Sequence, residues 1–142
     1  MKLELHHLAC YLPYALGFMH QDEIYQLMQL NIKYDQKPMW IEGWNGKDLI
    51  NVFPEGCQPI LRPLSDLNKE IEINGQKFIA INWLENQYPN LELHYQCESL
   101  LDNERWINQC EYLLIQHLFE WHFDIFNLIE NNLAIDINTI NQ

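Results

Sequence analysis

From Ile107 to Leu128 the apolar residues recur three and four positions apart: Ile107, Cys110, Leu114, Leu118, Trp121, Ile125 and Leu128. That spacing is the period of a helix with one apolar stripe. The pattern predicts a long amphipathic helix near the C-terminus. Ser99, with Asp102 three residues on, reads as a start signal. Asn131 and Asn132 suit its end, since Asn tolerates the left-handed cap conformation. A stripe of this length must be covered, and the rest of the chain supplies strands to cover it.

Residues 2–12 (KLELHHLACYL) alternate Leu3, Leu5 and His7 against Glu4, His6 and Leu8, which predicts a first strand ended by Pro13. Residues 22–32 admit either a short helix or a strand, with Ile24, Leu27 and Met28 at helical spacing. Residues 37–53 carry Asn45-Gly46, a strong turn signal, and predict a hairpin or a twisted loop between strands. Pro59 and Pro63 bracket Ile60-Leu61-Arg62, and the residue before a proline is held extended. Ser65-Asp66 then opens a short helical turn with Leu64 and Leu67 inward. Asn74-Gly75 lies between two β-rich runs and predicts a second hairpin. Leu91, Leu93, Tyr95 and Cys97 alternate, predicting another strand, and residues 133–140 read as a terminal extended segment. The expectation is one α+β domain over residues 1–142, a small and mainly antiparallel sheet with a long C-terminal amphipathic helix packed on it.

Charge limits the partners. Lys and Arg number 8 against 20 Asp and Glu, net −12, and residues 82–142 hold Arg105 alone against 10 acids. Such a chain repels nucleic-acid phosphates and anionic lipid, and is drawn to basic protein surfaces at a rate that falls with salt. The four cysteines at 10, 57, 97 and 110 show no CxxC spacing. With no secretory signal pattern and no apolar run of membrane-spanning length, the expected setting is a host-cell cytoplasm with reduced thiols.

The stretch from Gln116 to Phe126, QHLFEWHFDIF, concentrates histidines, carboxylates and aromatics. On a continuous helix His117, Glu120 and Asp124 share a polar face. One helix offers too few oriented ligands for a metal, and HExxH is absent, so neither a metal nor a cofactor is expected. P-loop, GxSxG and GxGxxG motifs are absent as well. The expected binding residues are the outer carboxylates Glu111, Glu120, Asp124 and Glu130, the cation Arg62 between its prolines, and Trp40 and Trp44 as interface anchors. For Arg62 a structural contact with Asp66 competes with that role, and for Trp40 and Trp44 core packing does.

ILRPLSDLNKEI (60–71) and LFEWHFDIFNLIENNLAIDINTI (118–140) resemble a group of small phage- and prophage-encoded proteins, and the similarity runs from the N-terminal MKLELHHLACYLPY to the end. Cys10 stands where that group's pattern carries a proline. The resemblance implies a mobile-element context and no catalytic residues. With the acidic composition it suggests an inhibitor of host defence, such as an anti-CRISPR protein that occupies the basic groove of a nucleic-acid-guided effector. Two alternatives come from other classes. One is a phage structural or replication accessory protein that self-assembles. The other is a metal-dependent enzyme joining His7 or His94 to His117 and Glu120.

Overall fold

The structure, a computed structural model, describes the backbone of residues 2–33 and 36–140, with side chains outside residues 32–39. The chain divides into two compact units, one of Met1–Leu61 with Phe126–Gln142, the other of Arg62–Ile125.

The first unit opens with a short helix, α1 (Leu5–Ala9), where a strand was expected. Leu3, His7, Leu8 and Tyr11 are buried and Leu5 is 37% exposed, so the inward set follows helical spacing. The His7 Nδ1 accepts the N–H of Glu4 at 2.9 Å, one half of a capping box that starts the helix. Strands β1 (Gly17–His20), β2 (Glu23–Lys33), β3 (Gln36–Trp44), β4 (Leu49–Val52), β5 (Gln58–Leu61) and β8 (Ile135–Asp136) form a six-stranded sheet in the order β4-β3-β2-β1-β5-β8. Every pairing is antiparallel except β5 with β8. Residues 22–32 therefore resolve as strand, with a bulge at Met28 between Leu27 and Gln29. The expected β3–β4 hairpin is present. Its turn is held by the Asn45 Oδ1, which accepts from the N–H groups of Lys47 and Asp48 at 2.9 and 2.6 Å.

One sheet face is buried, through Phe18, Tyr25, Leu27, Ile41 and Val52. Gly43 lies on that face because nothing larger fits: a Cβ there would stand 2.3 Å from the Phe18 ring.

The second unit begins at Arg62, whose N–H bonds the His122 carbonyl and whose carbonyl accepts from Asp124 N–H, both at 2.8 Å. A short 3-10 turn at Leu64–Asn68 follows, with Leu67 buried as expected. The Asn74-Gly75 hairpin is present as β6 (Glu70–Ile73) and β7 (Gln76–Ile79), with both turn residues left-handed at φ 51° and 81°. Then come α2 (Ala80–Gln87), α3 (Leu93–Asp102), a 3-10 turn (Glu104–Gln109) and α4 (Tyr112–Glu120). Their inner residues make one core: Ala80 and Leu84 from α2, Leu93, Cys97 and Leu100 from α3, Leu114 and Leu118 from α4.

The structure is α+β, but two further expectations about its helices are overturned, beside that of α1. The segment predicted as a strand at 91–97 is mostly helix α3, and Ser99 lies inside that helix, its hydroxyl donating to the Tyr95 carbonyl. The long C-terminal helix is not formed. The 3-10 turn ends at Cys110 in extended backbone, and α4 spans only nine residues. It stops in a Schellman motif: Phe123 N–H bonds the Leu118 carbonyl, His122 N–H bonds the Phe119 carbonyl, and His122 is left-handed at φ 62°. Leu118 and Phe123, the residues that such a motif brings into apolar contact, are both fully buried. Asn132 does adopt the left-handed conformation, at φ 60°. It closes a single turn in the first unit, where Leu133 N–H bonds the Leu128 carbonyl. The last segment is two residues of strand and a short helix, α5 (Ile137–Ile140), rather than extended throughout.

Candidate functional site

Because α4 ends at Glu120, the four expected carboxylates do not share a helix face. Glu111 is the exposed residue before α4, and Glu120 is its exposed last residue. Asp124 is 6% exposed, with its backbone bound to Arg62. Glu130 belongs to the first unit, exposed and accepting from the Asn127 amide at 2.9 Å. Arg62 is likewise 6% exposed, its guanidinium 5.9 Å from the centre of the Phe123 ring. Asp66 is buried and pairs with Lys69 at 3.5 Å.

The structure brings His117 and Glu120 together and adds a residue that sequence reasoning missed, Tyr88. The His117 Nδ1 lies 3.1 Å from a Glu120 carboxylate oxygen, and its Nε2 lies 2.9 Å from the Tyr88 hydroxyl. In the tautomer that donates from Nδ1 to the carboxylate, Nε2 is left to accept from the phenol. This acid–imidazole–hydroxyl chain is geometrically a relay. Its surroundings are filled: Trp83 and Trp121 pack against His117 at 5.0 and 5.1 Å between ring centres, and Phe78 packs on Trp121 at 5.2 Å. The chain ties the end of α2 to α4 and serves as a polar lock within an aromatic cluster. No group of three or more His, Cys, Asp or Glu among the described residues could hold a metal ion. The thiols of Cys57 and Cys97 are pushed up to about 12 by burial, which leaves them protonated and unreactive at neutral pH.

Two surfaces remain. In the second unit, the Gln96 side-chain carbonyl accepts the N–H of Glu111 at 2.8 Å, setting the start of α4 beside the flank of α3. Tyr95 and Tyr112 stand exposed around that link, Tyr112 at 79%. Glu92, Glu98, Asp102, Glu104 and Glu111 are all exposed on the same stretch, with Arg105 and Trp106.

In the first unit, strand alternation places both expected tryptophans on the outer sheet face. The register aligns Leu49, Trp44, Gln26 and Gly17 in one row across four strands, and Asn51, Glu42 and Gln29 in the next. Asn31 pairs with Trp40, which packs on Phe53 at 4.1 Å between ring centres. Trp44 is 40% exposed, and Ile24, Met28, Leu49 and Phe53 are exposed too.

No family model, no curated protein and no solved structure matches the chain. Among the described residues, no helix is long and apolar enough to cross a membrane.

Proposed function

We propose that this is a binding protein whose second unit engages a basic protein surface through the acidic, aromatic face of α3 and the start of α4. The observation that carries this reading is the Gln96–Glu111 hydrogen bond, which joins α3 to the start of α4; exposed Tyr95 and Tyr112 are the chain neighbours of the two bonded residues, and five exposed carboxylates lie on the same stretch. Tyr supplies large contact area with few torsions to freeze, and the carboxylates steer a cationic partner. The partner chemistry that fits is an Arg/Lys-lined nucleic-acid groove. Together with the resemblance to phage-encoded proteins, this favours an inhibitor of a host nucleic-acid-processing effector, of which an anti-CRISPR protein is one form. The face replaces the expected stripe of Glu111, Glu120, Asp124 and Glu130.

The test is affinity capture from host lysate with the whole chain and with a Glu98→Lys/Glu111→Lys double variant. A basic nucleic-acid-binding protein should be retained at low salt, released at high salt and lost with the double variant. Recovery of the bait alone, or capture indifferent to both salt and charge reversal, would refute the reading.

A further inference from the structure

We propose that the outer face of the first unit's sheet pairs with the same face of a second copy of this chain. The described residues on the β1–β4 face are apolar or amide-bearing: Ile24, Trp44 and Leu49 beside Gln26, Gln29 and Asn51, with Glu42 the one charge. That composition stands out in a chain of net charge −12. Two copies repel each other wherever their acids meet, and the repulsion is least where acids are fewest.

The face is also complementary to itself. A side-chain amide both donates and accepts, so a surface of amides satisfies a copy of itself, which a one-signed surface cannot do. The amides already pair along the strand, the Gln29 amide donating to the Asn31 carbonyl oxygen at 3.0 Å. Glu42 lies between Gln29 and Asn51 in register, so a two-fold axis running between β2 and β3 would set the Gln29 amide of one copy against the carboxylate of the other. Stacked sheets pack about 10 Å apart with their side chains interdigitating, and the exposed Trp44 and Leu49 would fill that layer. Strands about 4.8 Å apart, whose described side chains run over about 30, 17, 13 and 13 Å, give a plan area of roughly 350 Å². Side-chain relief brings that toward the low end of specific interfaces, about 600 Å² a side, which fits a dimer that forms only as concentration rises.

Sedimentation equilibrium of the full chain over concentration, at low and at high salt, tests this. The expected result is a species of twice the 17.1 kDa chain mass whose dissociation constant falls as salt screens the shared negative charge. Trp44→Gln and Ile24→Gln, both at exposed positions, should each raise that constant by about tenfold or more. A single-chain mass up to about 1 mM in high salt would overturn the proposal. So would a dimer that weakens with salt, or one that both substitutions leave unchanged.

Discussion

The two exposed surfaces are built on opposite logics. The outer sheet face of the first unit is apolar and amide-rich with a single carboxylate among its described residues, whereas α3 and the start of α4 in the second carry exposed carboxylates and tyrosines. Salt separates them: screening removes the attraction of an acidic face for a basic partner and removes the repulsion between two acidic copies. If both proposals hold, one chain carries two binding modes with opposite ionic-strength dependence. The difference in architecture is equally sharp. The sheet displays alternate residues of paired strands, so one register decides the whole face. On the α3 face, two separate elements share a core and are joined at the surface by the hydrogen bond from Glu111 N–H to the Gln96 side chain.

The largest effects should come from disturbing the packing of one core while the other unit's surface stays chemically intact. Leu118 is fully buried and sits at the position that closes the Schellman motif of α4. Leu118→Ala should cost about 2–5 kcal/mol in urea unfolding. In the first unit, Gly43→Ala should cost about 1–3 kcal/mol, because the added methyl collides with the Phe18 ring. It should weaken self-association more than partner capture, since Gly43 lies in register with Leu27 and Ile50 one residue from Trp44. Equal loss of both binding modes would show that the two surfaces are not independent.

A smaller effect tests the α3 face alone. Gln96→Ala removes the acceptor for the Glu111 N–H and should lower partner affinity severalfold, with stability reduced by about 0.5–1.5 kcal/mol. Titration of the captured partner against the variant would measure it. Self-association of Gln96→Ala should match that of the parent chain.

The hairpins were legible in the sequence because Asn-Gly turns force left-handed backbone at a fixed place. Both of them, and the extended Ile60-Leu61, stand where they were expected. The outward placement of Trp40 and Trp44 follows from the same strand alternation. The helices were misread for a physical reason. Leu3 and His7, and likewise Leu93 and Cys97, are four apart, and four residues fit both a strand's period of two and a helical turn. In so short a window the tie is broken by the neighbours: exposed Leu5 and Tyr95 deny the strand, while buried Leu8 and Leu100 continue the helix. The long helix failed differently. Its apolar spacing is real, and Leu114, Leu118, Trp121 and Leu128 are all buried. It breaks at His122 and again at Asn127, both left-handed, and His122 carries no glycine-like signal. The gain there is tertiary: Phe123 is fully buried, and the segment from His122 to Asp124 bonds to Arg62. Tyr88 was missed because its link to His117 spans 29 residues and no local pattern encodes it.

The smallest effect concerns how the first unit begins. The His7 Nδ1 accepts the N–H of Glu4, so it cannot carry a proton while α1 is capped. Burial lowers the His7 pKa below its ordinary 6.5, the adjacent His6 lowers it further, and Glu4 opposes both. His6 lies 4.0 Å from His7 between ring centres, on the same short helix, and Phe126 covers both rings at 5.5 and 5.3 Å. With the folded value below the unfolded one, the unfolded chain binds more protons between them. The contribution is therefore complete above about pH 6.5 and is lost as pH falls through the lowered folded value. Unfolding free energy should decline with acidification in that window. His7→Asn offers a side-chain carbonyl as the acceptor and does not titrate, so its decline there should be shallower than the parent's. Parallel curves for the two chains would place the acid sensitivity elsewhere and leave the cap of α1 without a part in it.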